Sequence, residues 1–587
     1  MIGKAGAGKT AAIINEIKRD MASAHGRALM IVPEQYSHEA ERELCRVCGD
    51  RLSLYAEVLS FTGLARETAA KHGGGAEPWL DKGGRLLCMA LALQSVGSRL
   101  RIYSAAQRRA ELQALLLSAV DELKSACIGY DALMTAAASC PDSLGDKLSD
   151  LALILEAYDA AVANGHADPA DRLSILAGQI DENTDIDANV KIYVDGFIDF
   201  TRQEREILHA MLRRGAQLTV CLTVDALDGD NEIFELSRRA GRELLAYARE
   251  LGAETEIVTL SEQSAKAPEL TVFADNMFSY SSDKYTPARD ALRLYRTESM
   301  AAECEQTAAL CLEFVRDGGC RWRDIAVVAR GFEDYRGSLE SAFRHYGVPL
   351  FTARRDDLMS KPLPALIALA YEIVRGGWAV DDVISYMRTG LAGLAPAECD
   401  VLENYIFKWQ LQGGAWHRSA DWRQHPDGYG CEYTDETEET LRRVNALRRT
   451  LAAPLLAFEE ASSKAQTAAQ QAEALAGLFE ALALPEQLSR RAGELAQLGD
   501  EKTAAEYRQL WDIVVSALEQ CAAVLGDTAM DSGEFSRLFT LMLSKYDIGT
   551  IPVSLDRVSA GDFDRNRRRS IKHLIVLGAS DQRLPRT

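Results

Sequence analysis

A chain of 587 residues, 47 % hydrophobic and 26 % charged, has the make-up of a globular protein of about four folding units that needs no covalent staples. Its net charge of −21 argues against a nucleic-acid coat spread over the whole surface, though not against a local DNA channel. Twelve cysteines without dense regular spacing argue against a disulfide framework; with no apolar run of about 18 residues and no basic-then-apolar leader, neither a membrane span nor a secretory signal is expected, and the cytoplasm is the expected location.

In chain order, the first feature is Gly3-Lys4-Ala5-Gly6-Ala7-Gly8-Lys9-Thr10, a full match to G-x-x-x-x-G-K-[ST]. Gly3, Gly6 and Gly8 let backbone N–H groups turn toward phosphates. The helix expected over Ala11–Arg19 sets its positive N-terminus on the same anion. Lys9 is expected to reach the β- and γ-phosphates of ATP and Thr10 to hold Mg²⁺. A glycine-rich turn capping a helix is the plain alternative. Such a loop normally follows a central strand, and only Met1 and Ile2 precede Gly3. These two are expected to be a strand stub or what is left of a strand that has been lost, with weaker preorganisation of the loop if the strand is missing.

Arg27–Val32 and Glu57–Phe61 read as strands, with a helix from Ser37 between them. Cys45 and Cys48 fall in that helical run and read as packed helix residues, because no second Cys or His pair accompanies them. Residues 81–177 are Ala/Leu-rich with helical spacing. Strands return at Val190–Val194 and Gln217–Val224. Residues 261–290 read as a polar linker. A second α/β unit follows, with a strand at Leu292–Arg296, a helix at Ser299–Asp317 and a strand at Ile325–Ala329. Residues 366–549 are again helical, and His573–Leu577 is a last strand. Strands alternating with helices predict parallel sheets. The organisation is then 1–80 plus 178–260 as a first core, 81–177 as its insertion, 291–365 plus 550–587 as a second core, and 366–549 as the second insertion.

Asp195 closes the strand Lys191–Val194 and is the candidate second acid on Mg²⁺; a strand-end Asp opening a turn with Gly196 is the alternative. A hydrolytic motor places Glu directly after that acid, to orient the attacking water. Here the position is Gly196, and Asp199 could compensate only if the loop folds back. Weak or absent ATP hydrolysis is expected.

Several segments together resemble the AddB/RexB family, the B-type component of the bacterial ATP-dependent helicase–nuclease. They are Ile31-Val32-Pro33-Glu34-Gln35-Tyr36, Val58-Leu59-Ser60-Phe61, Tyr193-Val194-Asp195-Gly196-Phe197-Ile198-Asp199-Phe200-Thr201, Asp324–Arg330, Arg388-Thr389-Gly390-Leu391 and Val576-Leu577-Gly578. The resemblance runs from residue 3 to the end. It implies two RecA-like P-loop cores of the superfamily 1, UvrD-like type, each with a helical insertion. It also implies a heterodimer with an AddA/RexA-like motor and nuclease partner, and contact with single- and double-stranded DNA in break repair, including a scan for the regulatory sequence Chi. Arg330 matches the position of a γ-phosphate-contacting arginine, with a surface arginine as the equal alternative. No Gly-Asp-x-x-Gln follows the strand ending at Val224, where the motors couple nucleotide to DNA grip. The family continues into a nuclease part with a four-cysteine iron–sulfur cluster. This chain stops before any such motif, so a fragment without nuclease activity is expected, and none of its cysteines is assigned to the cluster.

The resemblance places Ser60 and Phe61 where helicases touch single-stranded DNA, with an ordinary strand end and a buried Phe as the alternative; Gln35 and Tyr36 are similar candidates. A hydroxyl can bind phosphate and an aromatic face can stack a base. Arg565, Arg567 and Arg568, in the densest basic cluster, are candidate phosphate contacts, with a solvated loop as the alternative. Arg442, Arg443, Arg448 and Arg449 read as a solvated helix face or a partner surface. Two rival readings are an autonomous DNA-dependent ATPase, which Gly196 disfavours, and a P-loop protein unrelated to DNA, which the chain's size and paired cores disfavour.

Overall fold

Alternate residues of the strand Arg27–Ile31 face opposite ways, and both sets are apolar. Leu29 and Ile31 enter one core, while Ala28 and Met30 enter another on the far face, with Val32 just beyond the strand. A strand buried on both faces must lie inside a sheet covered by helices on each side, the usual setting of parallel strands. The computed structural model describes residues 1–23, 27–49, 55–73, 77–104, 109–183, 190–260, 267–276, 285–286, 290–352, 355–549, 556–563, 571–581 and 583–584.

The chain divides into two units, Met1–Pro287 and Ala288–Thr587. In the first, the strands are β1 (Ile2–Gly3), β2 (Arg27–Ile31), β3 (Ala56–Leu59), β4 (Val190–Val194), β5 (Gln217–Val220) and β6 (Leu222–Thr223). A four-stranded parallel sheet has the order β3-β2-β4-β5. The expected strand Gln217–Val224 is broken at Cys221, whose N–H bonds to Val194 O at 2.8 Å. Past that point the chain leaves β4 and pairs as β6 with β1, in parallel.

The two-residue β1 is therefore a real strand. The Ile2 N–H donates to Val258 O at 2.8 Å, and the Leu260 N–H donates to Ile2 O at 2.8 Å, so β1 is held on both sides. The strand that carries the phosphate-loop motif and the strand that ends in Asp195 are separated by one strand, β5/β6.

One face of the sheet is covered by helices Phe61–His72, Arg172–Asn183, Arg202–Arg213 and Glu235–Glu250. The other is covered by Lys9–Ser23 and Ser37–Cys48. Between β3 and β4 the helices Lys82–Val96, Ala110–Ser125, Tyr130–Ser139 and Ser143–Val162 form the expected helical block. The boundary drawn at residue 177 falls inside helix Arg172–Asn183, because its Leu176 and Ile180 are fully buried in the sheet's core. Part of the stretch read as a linker is helix Pro268–Asn276; most of the rest lies outside the described residues.

The second unit contains β7 (Ile325–Ala329), β8 (Leu350–Thr352), β9 (Arg355–Asp357), β10 (Asp547–Gly549), β11 (Val558–Asp562) and β12 (His573–Leu577). Its main sheet is parallel, in the order β12-β7-β11-β8. The helices from Pro362 to Leu543 are inserted between β8 and β11, and the antiparallel ribbon β9–β10 joins the chain entering this block to the chain leaving it. Leu292–Arg296 is not a strand among the described residues. Leu294 is 93 % exposed, so its apolar residues have no core to enter. Arg448, read as solvated, is 4 % exposed; it donates to Ala420 O at 2.9 Å and lies 4.8 Å from the centre of the Trp422 ring. The chain is thus α/β with parallel sheets, and none of its described helices is long and apolar enough to cross a membrane.

Candidate functional site

Parallel strands bring the loops at their C-terminal ends to one edge, where α/β sheets bind ligands. In the first unit that edge carries the Gly3–Thr10 loop after β1, Pro33–Tyr36 after β2, Ser60 after β3, Asp195–Thr201 after β4 and Asp225 after β6.

The loop turns through Gly6 (φ 86°) and Gly8 (φ 83°), both in the left-handed region that glycine enters without strain. At Gly3 the need is space. A Cβ there would stand 2.6 Å from Leu260 O and 2.9 Å from the Ala7 Cβ. The helix begins at Lys9, two residues earlier than expected, so Lys9 and Thr10 occupy its first turn.

Lys9 is only 8 % exposed, and its ammonium donates to Gly3 O at 2.6 Å and Lys4 O at 2.9 Å. The charge is held inside the loop by two carbonyls. The Thr10 hydroxyl donates to Asp195 Oδ2 at 2.6 Å. Asp195 is 3 % exposed, and its own N–H is fixed by Ile31 O at 3.0 Å, so the carboxylate is anchored to the sheet. The structure therefore brings together Gly3, Gly6, Gly8, Lys9, Thr10 and Asp195. Arg330 belongs to the second unit, exposed just past β7.

The loop after β4 does not fold back as Asp199 would need to act at this site. Gly196 has φ 88°. Asp199 Oδ1 accepts the Phe200 N–H at 2.8 Å, and Oδ2 accepts from Arg239 at 3.0 Å. Thr201 and Glu204 then close a reciprocal cap on helix Arg202–Arg213. Beyond β6, Asp225 caps the Ala226 N–H at 2.7 Å and pairs with buried Arg238 at 3.3 Å.

The expected DNA contacts fare unevenly. Ser60 is 7 % exposed, and its hydroxyl accepts the Gly63 N–H at 3.0 Å as the N-cap of helix Phe61–His72. Phe61 is 3 % exposed; its ring meets Phe197 at 5.4 Å, and Phe197 meets Phe200 at 5.3 Å. As placed, the Ser60 hydroxyl caps a helix start and the Phe61 ring packs in the core, and both residues are buried. Gln35 is exposed, in the turn after β2. Arg565, Arg567 and Arg568 lie outside the described residues.

A group not singled out from the sequence lies near that turn. The Arg172 guanidinium sits 4.3 Å from the centre of the Trp79 ring. Burial, then the like charge of Arg66, pushes its pKa below the usual arginine range, and Glu34 partly offsets them. The Arg172 Nε is buried without a hydrogen-bond partner. Two cations and an indole near one acid form a surface suited to an anionic, aromatic ligand. The only sequence signal is Trp79 itself, one of seven tryptophans, and it does not reveal which arginine covers it.

Residues 1–273 match the family model described as ADDB, N-terminal. The whole chain is 32 % identical to the B component of the "ATP-dependent helicase/deoxyribonuclease" of Desulforudis audaxviator, covering 52 % of that protein. Proteins of the same name from Acetivibrio thermocellus and Clostridium acetobutylicum are 29 % and 27 % identical over 99 % of this chain, which covers 52 % and 51 % of them. The chain thus spans about half the length of the curated relatives it matches. These matches bear out the AddB/RexB resemblance.

Proposed function

We propose that the chain, as the helicase-like part of an AddB-type protein, binds Mg·ATP at the Gly3–Thr10 loop and single-stranded DNA along the same sheet edge. It would act in a complex that processes DNA breaks together with a motor partner. The observation that carries the nucleotide reading is the Thr10–Asp195 hydrogen bond, 2.6 Å long and buried at Asp195. A hydroxyl and a carboxylate held together beside a lysine-bearing loop fit Mg²⁺, which takes one or two protein oxygens and completes its shell with phosphates and water. Among the described residues no three His, Cys, Asp or Glu side chains gather as a metal-binding group, so a nucleotide's phosphates would have to supply the remaining ligands.

On this reading Lys9 exchanges its two carbonyl acceptors for phosphate oxygens. Bound Mg²⁺ would neutralise charge on the phosphates. Gly196 supplies no base, and Asp199 is committed to Arg239, so the site serves binding more than turnover. The paired sheets, each interrupted by a helical block, support two RecA-like cores. Gln35, Arg66, Trp79 and Arg172 support the DNA role.

The test is equilibrium binding of a fluorescent ATP analogue to the chain, with and without Mg²⁺, followed by binding of single-stranded DNA at two salt concentrations. Mg²⁺-dependent nucleotide binding and salt-sensitive DNA binding are expected. Nucleotide binding without any DNA binding would favour a P-loop protein of another kind, and rapid DNA-stimulated hydrolysis would overturn the weak-motor reading.

A further inference from the structure

In the second unit, a cysteine and a histidine far apart in sequence meet at the N-terminal end of the sheet. Cys320 Sγ lies 3.2 Å from His573 Nε2. His573 opens β12, paired in register with Ile325 of β7, and Cys320 precedes β7 by a short turn. The imidazole is fixed by stacking on Phe314, with ring centres 4.0 Å apart and planes 11° off parallel. This directs Nε2 at the sulfur.

We propose that Cys320 and His573 form a nucleophile–base pair, which makes Cys320 a site of covalent thiol modification by hydroperoxides and other small electrophiles. The thiolate is the reactive form of cysteine, and an adjacent imidazole generates it by taking the proton. The surroundings favour this. Burial, then Arg293, hold His573 below the usual imidazole range, with Lys572 adding to them and Asp324 opposing. The ring is therefore neutral at pH 7 and able to accept. Lys572 stands close enough to Cys320 and Arg321 to sense both charges; its main partner is Asp324, at 2.8 Å. Two of the neighbouring cations are themselves paired, Arg293 with Glu313 at 2.9 Å and Lys572 with Asp324.

In the reaction the thiol proton passes to His573 Nε2 and the sulfur attacks one peroxide oxygen. The S–O bond forms as the O–O bond breaks. The leaving alkoxide or hydroxide takes the proton from His573. Cysteine is oxidised to the sulfenic acid, and the peroxide is reduced to alcohol or water.

The chain carries its own controls. Cys88, Cys304, Cys311 and Cys521 are buried, and burial pushes their thiols up to between about 11 and about 12. Cys45 and Cys431 are exposed and free. If access alone set reactivity, Cys45 and Cys431 would react before the half-buried Cys320.

The test is limiting iodoacetamide on the full chain at pH 7, with each cysteine quantified by mass spectrometry, and hydrogen peroxide with a sulfenate trap in parallel. Cys320 is expected to react at least about tenfold faster than Cys431, because an imidazole within hydrogen-bond reach can take the thiol proton as the sulfur attacks. His573→Gln should lower it to the Cys431 rate, with the fold checked by circular dichroism. A Cys320 rate at or below that of Cys431 in the unmodified chain would overturn the proposal without any variant, and so would an unchanged rate in a folded His573→Gln protein.

Discussion

The Thr10 hydroxyl donates to Asp195 Oδ2 at 2.6 Å, joining residues 185 positions apart at the C-terminal edge of one sheet. If this pair is the protein's share of a Mg²⁺ site, both partners control the metal dependence of nucleotide binding. Asp195→Asn and Thr10→Val should each weaken Mg·ATP by about tenfold, ~1.4 kcal/mol, while leaving metal-free binding nearly unchanged. Lys9→Ala should weaken binding with or without metal. Titration of a fluorescent nucleotide in Mg²⁺ and in EDTA separates the two; equal losses under both conditions for Asp195→Asn would show that the carboxylate only anchors the loop.

Hydrolysis should be slow and should not depend on Asp199. Its carboxylate is held by Arg239 at 3.0 Å and by the Phe200 N–H, so Asp199→Asn is expected to leave turnover unaltered. A fall of tenfold or more in a steady-state phosphate-release assay would refute this. Installing Glu at position 196 is a poor converse test. With φ 88° there, a side chain costs about 1–2 kcal/mol in backbone strain before any chemistry is gained.

If the chain binds single-stranded DNA as proposed, Arg172 and Trp79 are better placed for it than the buried Phe61. Removing a stacking ring costs about 1–3 kcal/mol per base. Trp79→Ala should therefore weaken single-strand binding markedly. Arg172→Ala should also lower the slope of log K against log salt by about 0.7, the value for one phosphate contact on a single strand. Phe61→Ala should instead lower the melting temperature, since that ring is 3 % exposed in the core. Unchanged salt slopes in Arg172→Ala, measured by anisotropy, would remove the guanidinium from the DNA site.

What the sequence disclosed follows from what is local. The Gly3–Thr10 loop, the strand ending at Asp195 and the two helical blocks rest on spacing within short windows, and those windows predicted an α/β chain with parallel strands. The failures are non-local. Leu292–Arg296 has a strand's composition but no neighbouring strand to pair with among the described residues. For Ser60 and Phe61 the motif's letters left open an ordinary strand end with a buried Phe, and only the fold shows the hydroxyl accepting at a helix start and the ring packed on Phe197. The Arg172–Trp79 contact joins residues from opposite ends of a helical block, and no periodicity records it.

The helical block of the first unit rests on a buried charge cluster, and its acid sensitivity should show this. The Asp168 side chain is fully buried and pairs with Arg85 at 2.7 Å and Lys124 at 3.0 Å. Lys124 also holds Asp171 at 2.7 Å and Asp159 at 2.8 Å. Burial alone would raise the Asp168 pKa, but Lys124 and then Arg85 more than offset it and hold the carboxyl below its ordinary value. A depressed folded-state pKa adds stability that is complete above the unfolded value and is lost as pH falls through the folded one. Asp171 works the other way, its pKa raised chiefly by burial, so only the Asp168 share is lost below about pH 4. Asp168→Asn leaves Arg85 and Lys124 facing each other without their shared carboxylate. It should cost about 3–5 kcal/mol at pH 7, the range for breaking a buried pair from one side. It should also flatten the acid limb of stability below about pH 4, because a carboxylate held below its ordinary range is gone. Urea melts of both proteins across that range give the comparison; parallel acid limbs would mean that Asp168 is not the carboxylate that couples this block to pH.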